Sequence, residues 1–184
     1  MKRLFYIIIF SLAPLYVFSQ SYTVDSSKSN LEWIGKKTTG SHNGTLLIKD
    51  GFIKLDKKNI IIEGEFTLDM ESITCTDLEG SKKGYFEDHL KNEDFFNTKE
   101  HPVALFRITN ATSKKINGTL TIKGISQEIS FNYTQINAQE YKADIIIDRT
   151  LFDIKYKSKS IFKDLGDNFI YDDFTVTLNS IIFK

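Results

Sequence analysis

Residues 59–70, NIIIEGEFTLDM, show most clearly the pattern from which the fold of this chain can be predicted. Every second residue is small or apolar, and a period of two is typical of a β-strand that turns one face to a core and the other to water. The predicted inward face consists of Ile60, Ile62, Gly64, Phe66, Leu68 and Met70. The sequence therefore predicts an amphipathic strand over this segment.

The same alternation recurs on both sides of this segment, and short polar connections such as Lys123-Gly124 separate the repeats in the manner of hairpin turns. The further inward positions are Leu31, Trp33, Leu46, Ile48, Ala104, Phe106, Ile108, Ile116, Gly118, Leu120, Ile122, Ile129, Phe131, Tyr133, Tyr141, Ala143, Ile145, Ile147, Phe174, Val176, Leu178 and Ile182. About eight antiparallel strands of this kind can close into an up-and-down barrel. A two-sheet sandwich uses the same alternation, so periodicity leaves both architectures open.

Residues 76–102, TDLEGSKKGYFEDHLKNEDFFNTKEHP, interrupt the strand pattern. From Ser81 to Leu90 the spacing predicts a short amphipathic helix. Its apolar side would hold Tyr85, Phe86, His89 and Leu90, and the adjacent rings of Phe95 and Phe96 follow it. We interpret residues 76–98 as a helical insertion that acts as a lid or plug over an apolar opening. The alternative is a satellite helix that only closes one end of the core.

A second irregular region covers residues 150–173 and is long for a hairpin loop. Loops of this length in compact domains are usually functional or contain a short helix. The sequence predicts one helical turn over Ser160–Leu165, ended by Gly166. We expect Phe152, Ile154 and Phe162 to be buried beneath the loop.

The N-terminal residues have the pattern of a secretory signal peptide. A basic start, Met1-Lys2-Arg3, precedes the apolar run Leu4–Phe18, and small residues follow it. We predict that residues 1–19 are removed by cleavage near Ser19 or Gln20, that residues 20–184 form one domain, and that the protein is periplasmic or secreted. No later segment approaches the roughly 20 apolar residues of a membrane span, so we expect no stable membrane insertion.

Composition narrows the partners and the chemistry. The chain has 24 basic and 24 acidic residues and a formal net charge of zero, which argues against nucleic acid as a partner. Its single cysteine, Cys75, excludes an internal disulfide, and we expect it to be a buried, inert thiol. The histidines His42, His89 and His101 stand in unrelated segments. The sequence therefore predicts no catalytic residues, no bound metal and no cofactor.

Apolar side chains are what remains to explain a function. Fifteen Phe, eight Tyr and one Trp could fill a core or line a pocket. An eight-stranded barrel is just wide enough to be filled by side chains or to hold one small ligand. We predict a pocket, because the small inward residues Gly64, Ala104, Gly118 and Ala143 leave volume unfilled.

Several ordered motifs carry a resemblance to a known family. They are Tyr22-Thr23-Val24-Asp25 with Leu31-Glu32-Trp33, Leu68–Ile73 (LDMESI), His89–Phe96 (HLKNEDFF) with His101-Pro102 and Phe106, Gly118–Gly124 (GTLTIKG), and Arg149 with Phe152, Ile154 and Tyr156. In this order they resemble the YceI-like family over essentially the whole mature chain. Residues 162–174 resemble the version common in the Bacteroidetes group.

The resemblance implies an all-β fold, an extended antiparallel eight-stranded lipocalin-like barrel that binds a long polyisoprenoid, quinone or similar lipid and often forms homodimers. The inward apolar residues and the absence of a catalytic set lead us to expect an exported carrier or sequestering protein and not an enzyme. Where family members often have Gly, this chain has Asp153, so the turn after Arg149 is expected to differ.

The resemblance and the inward pattern together give a candidate lipid site. The expected apolar contacts are Trp33, Phe66, Leu68, Met70, Phe86, Leu90, Phe95, Phe96, Phe106, Ile108, Leu120, Phe131, Ile145, Phe152 and Phe174, and the expected headgroup contacts are His89 and Arg149. Two alternatives remain open. One is a structural or interaction barrel of the cell envelope, and the other is a lipid hydrolase with Asp88, His89 and Arg149 as candidates.

Overall fold

The computed structural model describes residues 19–184, so the predicted signal peptide lies almost wholly outside the described residues. The strands are β1 Gln20–Thr23, β2 Asn30–Lys37, β3 Gly40–Leu55, β4 Ile61–Cys75, β5 Val103–Ala111, β6 Lys115–Ile122, β7 Ile125–Asn137, β8 Glu140–Asp148 and β9 Ile170–Ile182. One α-helix, α1, covers Gly80–Lys91, and 3₁₀ helices cover Arg149–Phe152 and Gly166–Asn168. None of the helices within residues 19–184 has the length and apolar character needed to cross a membrane.

Strands β2 to β9 form a closed antiparallel barrel. Each strand pairs with the next along the chain, and β9 returns to pair with β2, which closes a ring of eight strands. Trp33 lies opposite Val176 across this closing pair, and Leu31 lies opposite Leu178. The short β1 pairs with the second half of β3. The barrel prediction is confirmed, and the alternative sandwich is excluded because no strand edge separates two sheets in the described chain.

The turn between β6 and β7 shows how local sequence sets the register. Only Lys123 and Gly124 lie between the two strands, and both have positive φ, 51° and 73°. Two such residues form the turn whose twist matches a β-hairpin. Ile122 and Ile125 therefore lie directly opposite each other, and the predicted hairpin is confirmed.

Two predicted inward positions were wrong because the strands contain irregularities. Ile61 is 3% exposed, whereas Ile62 is 48% exposed. Between β3 and β4 the register shifts at this point, and an extra residue exchanges the two faces of a strand. A second shift between β8 and β9 places Ile181 in the core at 4% exposure, while the predicted Ile182 is only half-buried.

The insertion is a helix as predicted, but its buried face is narrower than expected. Leu90 is the only buried residue of α1, and Tyr85 is 77% exposed. Tyr85 precedes Leu90 by five residues, which places it about 140° around the helix. The prediction that Tyr85 belongs to the apolar side was therefore wrong. Glu87 anchors the other side, since its carboxylate accepts hydrogen bonds from the hydroxyl of Thr74 and the backbone N–H of Cys75.

The loop that follows β8 differs from its predicted form. The helical turn lies at Gly166–Asn168 and not at Ser160–Leu165. Side-chain hydrogen bonds explain the difference: the hydroxyl of Ser158 accepts from Ile161 N, and Asp172 accepts from Ser160 N. Phe152 and Ile154 are fully buried as predicted, but Phe162 is 46% exposed.

Candidate ligand-binding cavity

The barrel encloses a cavity of about 200 Å³. One buried water molecule needs only about 10 to 15 Å³, so this space is too large to be a single-water packing defect. Inward side chains from all eight strands of the ring line it, and its lining is apolar except for Lys142, Arg149, Asp173 and three tyrosines. Such a cavity can hold an apolar molecule, and its wall offers few polar groups to recognise one.

Twelve of the fifteen predicted apolar contacts line the cavity. These are Trp33, Phe66, Leu68, Met70, Phe95, Phe96, Phe106, Ile108, Leu120, Phe131, Ile145 and Phe174. The other three, Phe86, Leu90 and Phe152, do not. Phe86 packs on His42 with ring centroids 4.6 Å apart, and Leu90 and Phe152 are buried in the cluster of apolar residues around α1 and the 3₁₀ helix. Phe86, Leu90 and Phe152 therefore pack outside the cavity wall and do not face the cavity itself.

The free volume does not come from the two glycines to which it was attributed. A Cβ atom at Gly64 would lie 2.8 Å from Cδ1 of Ile108, and one at Gly118 would lie 2.5 Å from Cε2 of Phe106. Neighbouring side chains thus already occupy both places. Ala104 and Ala143 do line the cavity, and so does Gly35, which has no atom within 4 Å of its Cβ position.

Tyr133 and Tyr141 provide the polar atoms at the end of the barrel nearest β1. The hydroxyl of Tyr133 donates to the carbonyl oxygen of Thr112 over 2.8 Å, and that of Tyr141 donates to Ala138 O over 3.2 Å. Burial raises the pKa of Tyr141 to about 12. Both phenols are therefore neutral near pH 7, and their hydroxyls are bound to the protein itself.

Arg149 lies at the opposite end of the cavity and is 3% exposed. Its guanidinium donates hydrogen bonds to the carbonyl oxygens of Ile154, Ile170 and Tyr171, at 2.9, 3.2 and 3.2 Å. Asp172 lies 3.6 Å from it. Burial lowers the pKa of Arg149, and this effect is partly offset by the charges of Asp172 and Asp148. These bonds join both ends of the 154–171 loop to the barrel, which is a role the sequence did not predict.

Asp153 provides the turn that makes this arrangement possible. Its φ and ψ of 59° and 27° are left-handed, a conformation that Asp tolerates better than most residues. Its backbone N–H caps the preceding 3₁₀ helix by donating to the carbonyl oxygens of Arg149 and Thr150. Asp therefore occupies the turn after Arg149 in the conformation for which Gly is usually chosen.

His89, the other predicted headgroup contact, does not line the cavity. Its ring packs edge-on against Phe95 and Tyr156, with centroids 5.0 and 4.5 Å away. Nδ1 lies 3.1 Å from the side-chain amide of Asn92, and Nε2 is buried with no hydrogen-bond partner within the described chain. Within the described chain His89 makes no hydrogen bond to Cys75 or to a serine hydroxyl. The hydrolase hypothesis thus has no nucleophile and base paired at this histidine.

A group of polar side chains that the sequence did not indicate lies beside α1. Asp77 is 2.8 Å from Nδ1 of His42 and 3.1 Å from Sγ of Cys75, and it accepts from Asn43 N. Burial alone would raise the pKa of Asp77, but the hydrogen bonds outweigh it and lower this pKa to about 2. Burial raises the pKa of Cys75, whose thiol is inaccessible to solvent as expected. The pairing of Gly44 with Cys75 brings these distant positions together, and no spacing or motif in the sequence indicated that register.

The fold and the cavity define the class of this protein: a closed antiparallel β-barrel with an apolar interior. The chain belongs to the YceI-like family, because residues 22–181 match the model of the YceI-like domain. Among curated relatives, UPF0312 proteins of Staphylococcus aureus are 30% identical over 116 residues, which is 61% of this chain. The chain spans about 63% of the length of these relatives.

Solved structures show the same fold. BcnA of Burkholderia cenocepacia superimposes with a TM-score of 0.62 and 22% identity, over 88% of this chain and 99% of that one. A polyisoprenoid binding domain from Saccharophagus degradans, implicated in plant cell wall breakdown, superimposes with a TM-score of 0.58 and 14% identity. The superposition covers 89% of this chain and 97% of that one. The YceI protein of Campylobacter jejuni superimposes with a TM-score of 0.53 and 19% identity, over 74% of this chain and 81% of that one.

Phe95 and Phe96 differ in burial, which leads to a testable prediction about the insertion. Phe95 is 8% exposed and packs on His89 and Tyr156, while Phe96 is half-buried and meets Phe174 edge-on at 6.5 Å. We expect Phe96→Ala to release bound lipid with little change in the melting temperature of lipid-free protein. Phe95→Ala should lower that melting temperature more, because it removes a better-buried ring.

Thermal melts and lipid occupancy of both variants, each measured beside the wild type, test this prediction. Full lipid occupancy in Phe96→Ala would show that the insertion is structural cover and not a lid. Tyr85→Ala is the matched control, since it removes a ring that is exposed on the same insertion.

Proposed function

We propose that this protein binds a long apolar chain, such as a polyisoprenoid, a quinone or a similar lipid, inside its barrel, and that it carries or sequesters this lipid. The observation that supports the proposal most directly is the apolar cavity lined by all eight ring strands. Membership of the YceI-like family and the structural similarity to a polyisoprenoid binding domain support it as well.

Apolar contact is sufficient to supply the affinity. Each methylene group transferred from water contributes on the order of 0.8 kcal/mol, so a chain of several isoprene units can be held without polar recognition. The positions of the polar side chains agree with this mode of binding. The donors of Arg149 and the hydroxyls of Tyr133 and Tyr141 bind protein atoms, so they do not require a polar partner inside the cavity.

We further propose that the protein is exported and is not an enzyme. The signal-peptide pattern of residues 1–19 supports export to the periplasm or the exterior. The isolation of His89 from Cys75 and from serine hydroxyls supports a binding function, because a hydrolase of the predicted kind needs a base beside its nucleophile.

One experiment tests these proposals together. Protein purified from its own host is analysed by native mass spectrometry and by lipid extraction. We expect a bound lipid and an intact mass that corresponds to cleavage near Ser19 or Gln20. Lipid-free protein from the host, with no thermal stabilisation by quinones or polyprenyl phosphates, would contradict the binding proposal.

A substitution that fills the cavity should separate lipid binding from folding. Ala104 lines the cavity and is 1% exposed, and Leu105, its neighbour on β5, is 39% exposed on the opposite face. We expect Ala104→Phe to abolish lipid occupancy, at a cost in stability of about 1 to 3 kcal/mol from overpacking. Leu105→Phe is the control and should keep both properties. Equal lipid occupancy in the two variants would place the lipid outside the barrel.

A further inference from the structure

The side chains of His42, Cys75 and Asp77 meet outside the lipid cavity. The cavity wall includes none of the three, so this group lies outside the proposed lipid site. His42 lies near the start of β3, Cys75 ends β4 and Asp77 follows it, and the pairing of Gly44 with Cys75 brings the two strand ends together. One nitrogen, one sulfur and one carboxylate oxygen lie within 4.8 Å of one another.

Neighbouring residues hold each of the three groups in place. The backbone N–H of Asn43 donates to Oδ1 of Asp77 over 2.9 Å. Glu87 accepts from the backbone N–H of Cys75 over 2.7 Å, which ties the end of β4 to α1. The ring of Phe86 lies 4.6 Å from that of His42 and restrains the imidazole. Contacts with Asn43, Glu87 and Phe86 thus restrain the three groups in addition to the hydrogen bonds that they make with one another.

These three donors form a ligand set suited to zinc. Thiolate, imidazole and carboxylate bind Zn²⁺ at about 2.3, 2.0 and 2.0 Å, and tetrahedral angles then separate the donor atoms by about 3.3 to 3.5 Å. The observed separations are 2.8 Å between His42 Nδ1 and Asp77 Oδ2, and 3.1 Å between Cys75 Sγ and Asp77 Oδ1. The third pair, His42 Nδ1 and Cys75 Sγ, lies within 4.8 Å, so these two atoms would have to approach each other by up to about 1.3 Å to reach the tetrahedral separation.

We propose that His42, Cys75 and Asp77 bind one Zn²⁺ ion through Nδ1, Sγ and a carboxylate oxygen. The fourth position would take water or an external ligand from the side of His42 and Asp77, whose side chains are 22% and 30% exposed, whereas the Cys75 thiol is buried. A divalent ion with one thiolate and one carboxylate is electrically neutral. This balance limits the cost of holding the ion at a partly buried place.

The binding step exchanges protons for the metal. In the metal-free protein the thiol of Cys75 donates its hydrogen bond to Asp77. When Zn²⁺ bonds to sulfur, the thiol proton leaves to solvent. Nδ1 of His42 donates its hydrogen bond to the Asp77 carboxylate in the metal-free protein, so its proton also leaves to solvent before the Nδ1 lone pair binds the ion. The neutral ring then carries its proton on Nε2, taken from solvent if His42 was neutral before binding. Binding should therefore release at least one proton for each ion.

The experiment uses the full mature chain, freed of metal by a chelator, and titrates it with Zn²⁺ in two buffers of different ionisation enthalpy. We expect one ion per chain with proton release. Titration with Co²⁺ should give a sulfur-to-metal charge-transfer band. Cys75 is the only cysteine in the chain, so this band reports on the proposed site alone.

Variants separate the zinc site from a purely structural group of hydrogen bonds. We expect Cys75→Ser, whose hydroxyl can still donate to Asp77, to keep the fold but lose the Co²⁺ band, and Asp77→Asn to weaken Zn²⁺ binding by more than about tenfold. His101→Gln is the control and should bind Zn²⁺ as the wild type does. The absence of a Co²⁺ band in wild-type protein, or of Zn²⁺ binding below millimolar concentration, would overturn the proposal even if a variant failed to fold.

Discussion

We expect the Gly44→Ala variant to lose about 3 kcal/mol of unfolding free energy, which lowers the melting temperature by about 6 to 12 °C for a domain of this size. A Cβ atom at Gly44 would overlap the carbonyl oxygen of Thr74 and would lie 2.5 Å from Cζ2 of Trp33. The carbonyl belongs to β4, so it cannot move away by a change of rotamer. The end of the β3–β4 pair would have to separate.

Gly35→Ala is the matched control for this prediction. Gly35 also lies in a ring strand, but no atom lies within 4 Å of its Cβ position. We expect its unfolding free energy to be unchanged or slightly increased, because Ala has less conformational freedom than Gly in the unfolded chain. Thermal and urea melts of the lipid-free proteins measure both effects. Equal stability of the two variants would contradict the close approach of β3 to β4.

The second large effect is expected for Arg149→Met, with a loss of about 3 to 5 kcal/mol. Removal of the guanidinium leaves the carbonyl oxygens of Ile154, Ile170 and Tyr171 without these donors and Asp172 without its charged partner. The loop should also detach from the barrel in the folded variant, because the three carbonyl groups that Arg149 binds lie at the two ends of this loop. We expect trypsin to cleave the variant within residues 155–163, where the loop contains four lysines.

Arg107→Met is the control, since the side chain of Arg107 is 71% exposed and its partner Glu65 lies on the barrel surface. An exposed ion pair of this kind contributes about 1 kcal/mol or less. Urea melts and limited trypsin digestion of both variants are the measurements. If Arg149→Met were as stable and as resistant to trypsin as Arg107→Met, Arg149 would not hold the loop against the barrel.

Predictions from periodicity succeeded where each strand is regular. Ala104, Ile108, Ile116, Leu120 and Ile122 are all buried, because a period of two in the sequence maps directly onto the two faces of a strand. Ile62 and Ile182 failed because a bulge adds a residue without changing the residue types around it. The position of a bulge depends on how the partner strand pairs, which is a property of the assembled sheet.

The candidate cavity also has features that the sequence predicts and features that depend on the assembled barrel. Its apolar lining could be read from inward positions, but the source of its volume could not. Gly64 and Gly118 are small residues whose space is taken by Ile108 and Phe106 on other strands, while Gly35 has open space beside it. The sequence gives the size of each residue, but the volume of a cavity depends on how all the surrounding side chains pack.

Amphipathic antiparallel strands, a helical insertion and an apolar interior could all be predicted before folding, because they follow from the order of apolar and polar residues along the chain. Two arrangements appear only in the folded barrel: Arg149 binds backbone carbonyls at both ends of a loop, and His42 lies in one group with Cys75 and Asp77. The residues of each group are separated by up to 35 positions in the chain. The pairing of β3 with β4 brings the second group together, and the return of the loop onto β9 brings the first group together. Both depend on strand register and loop path, which spacing along the chain does not show.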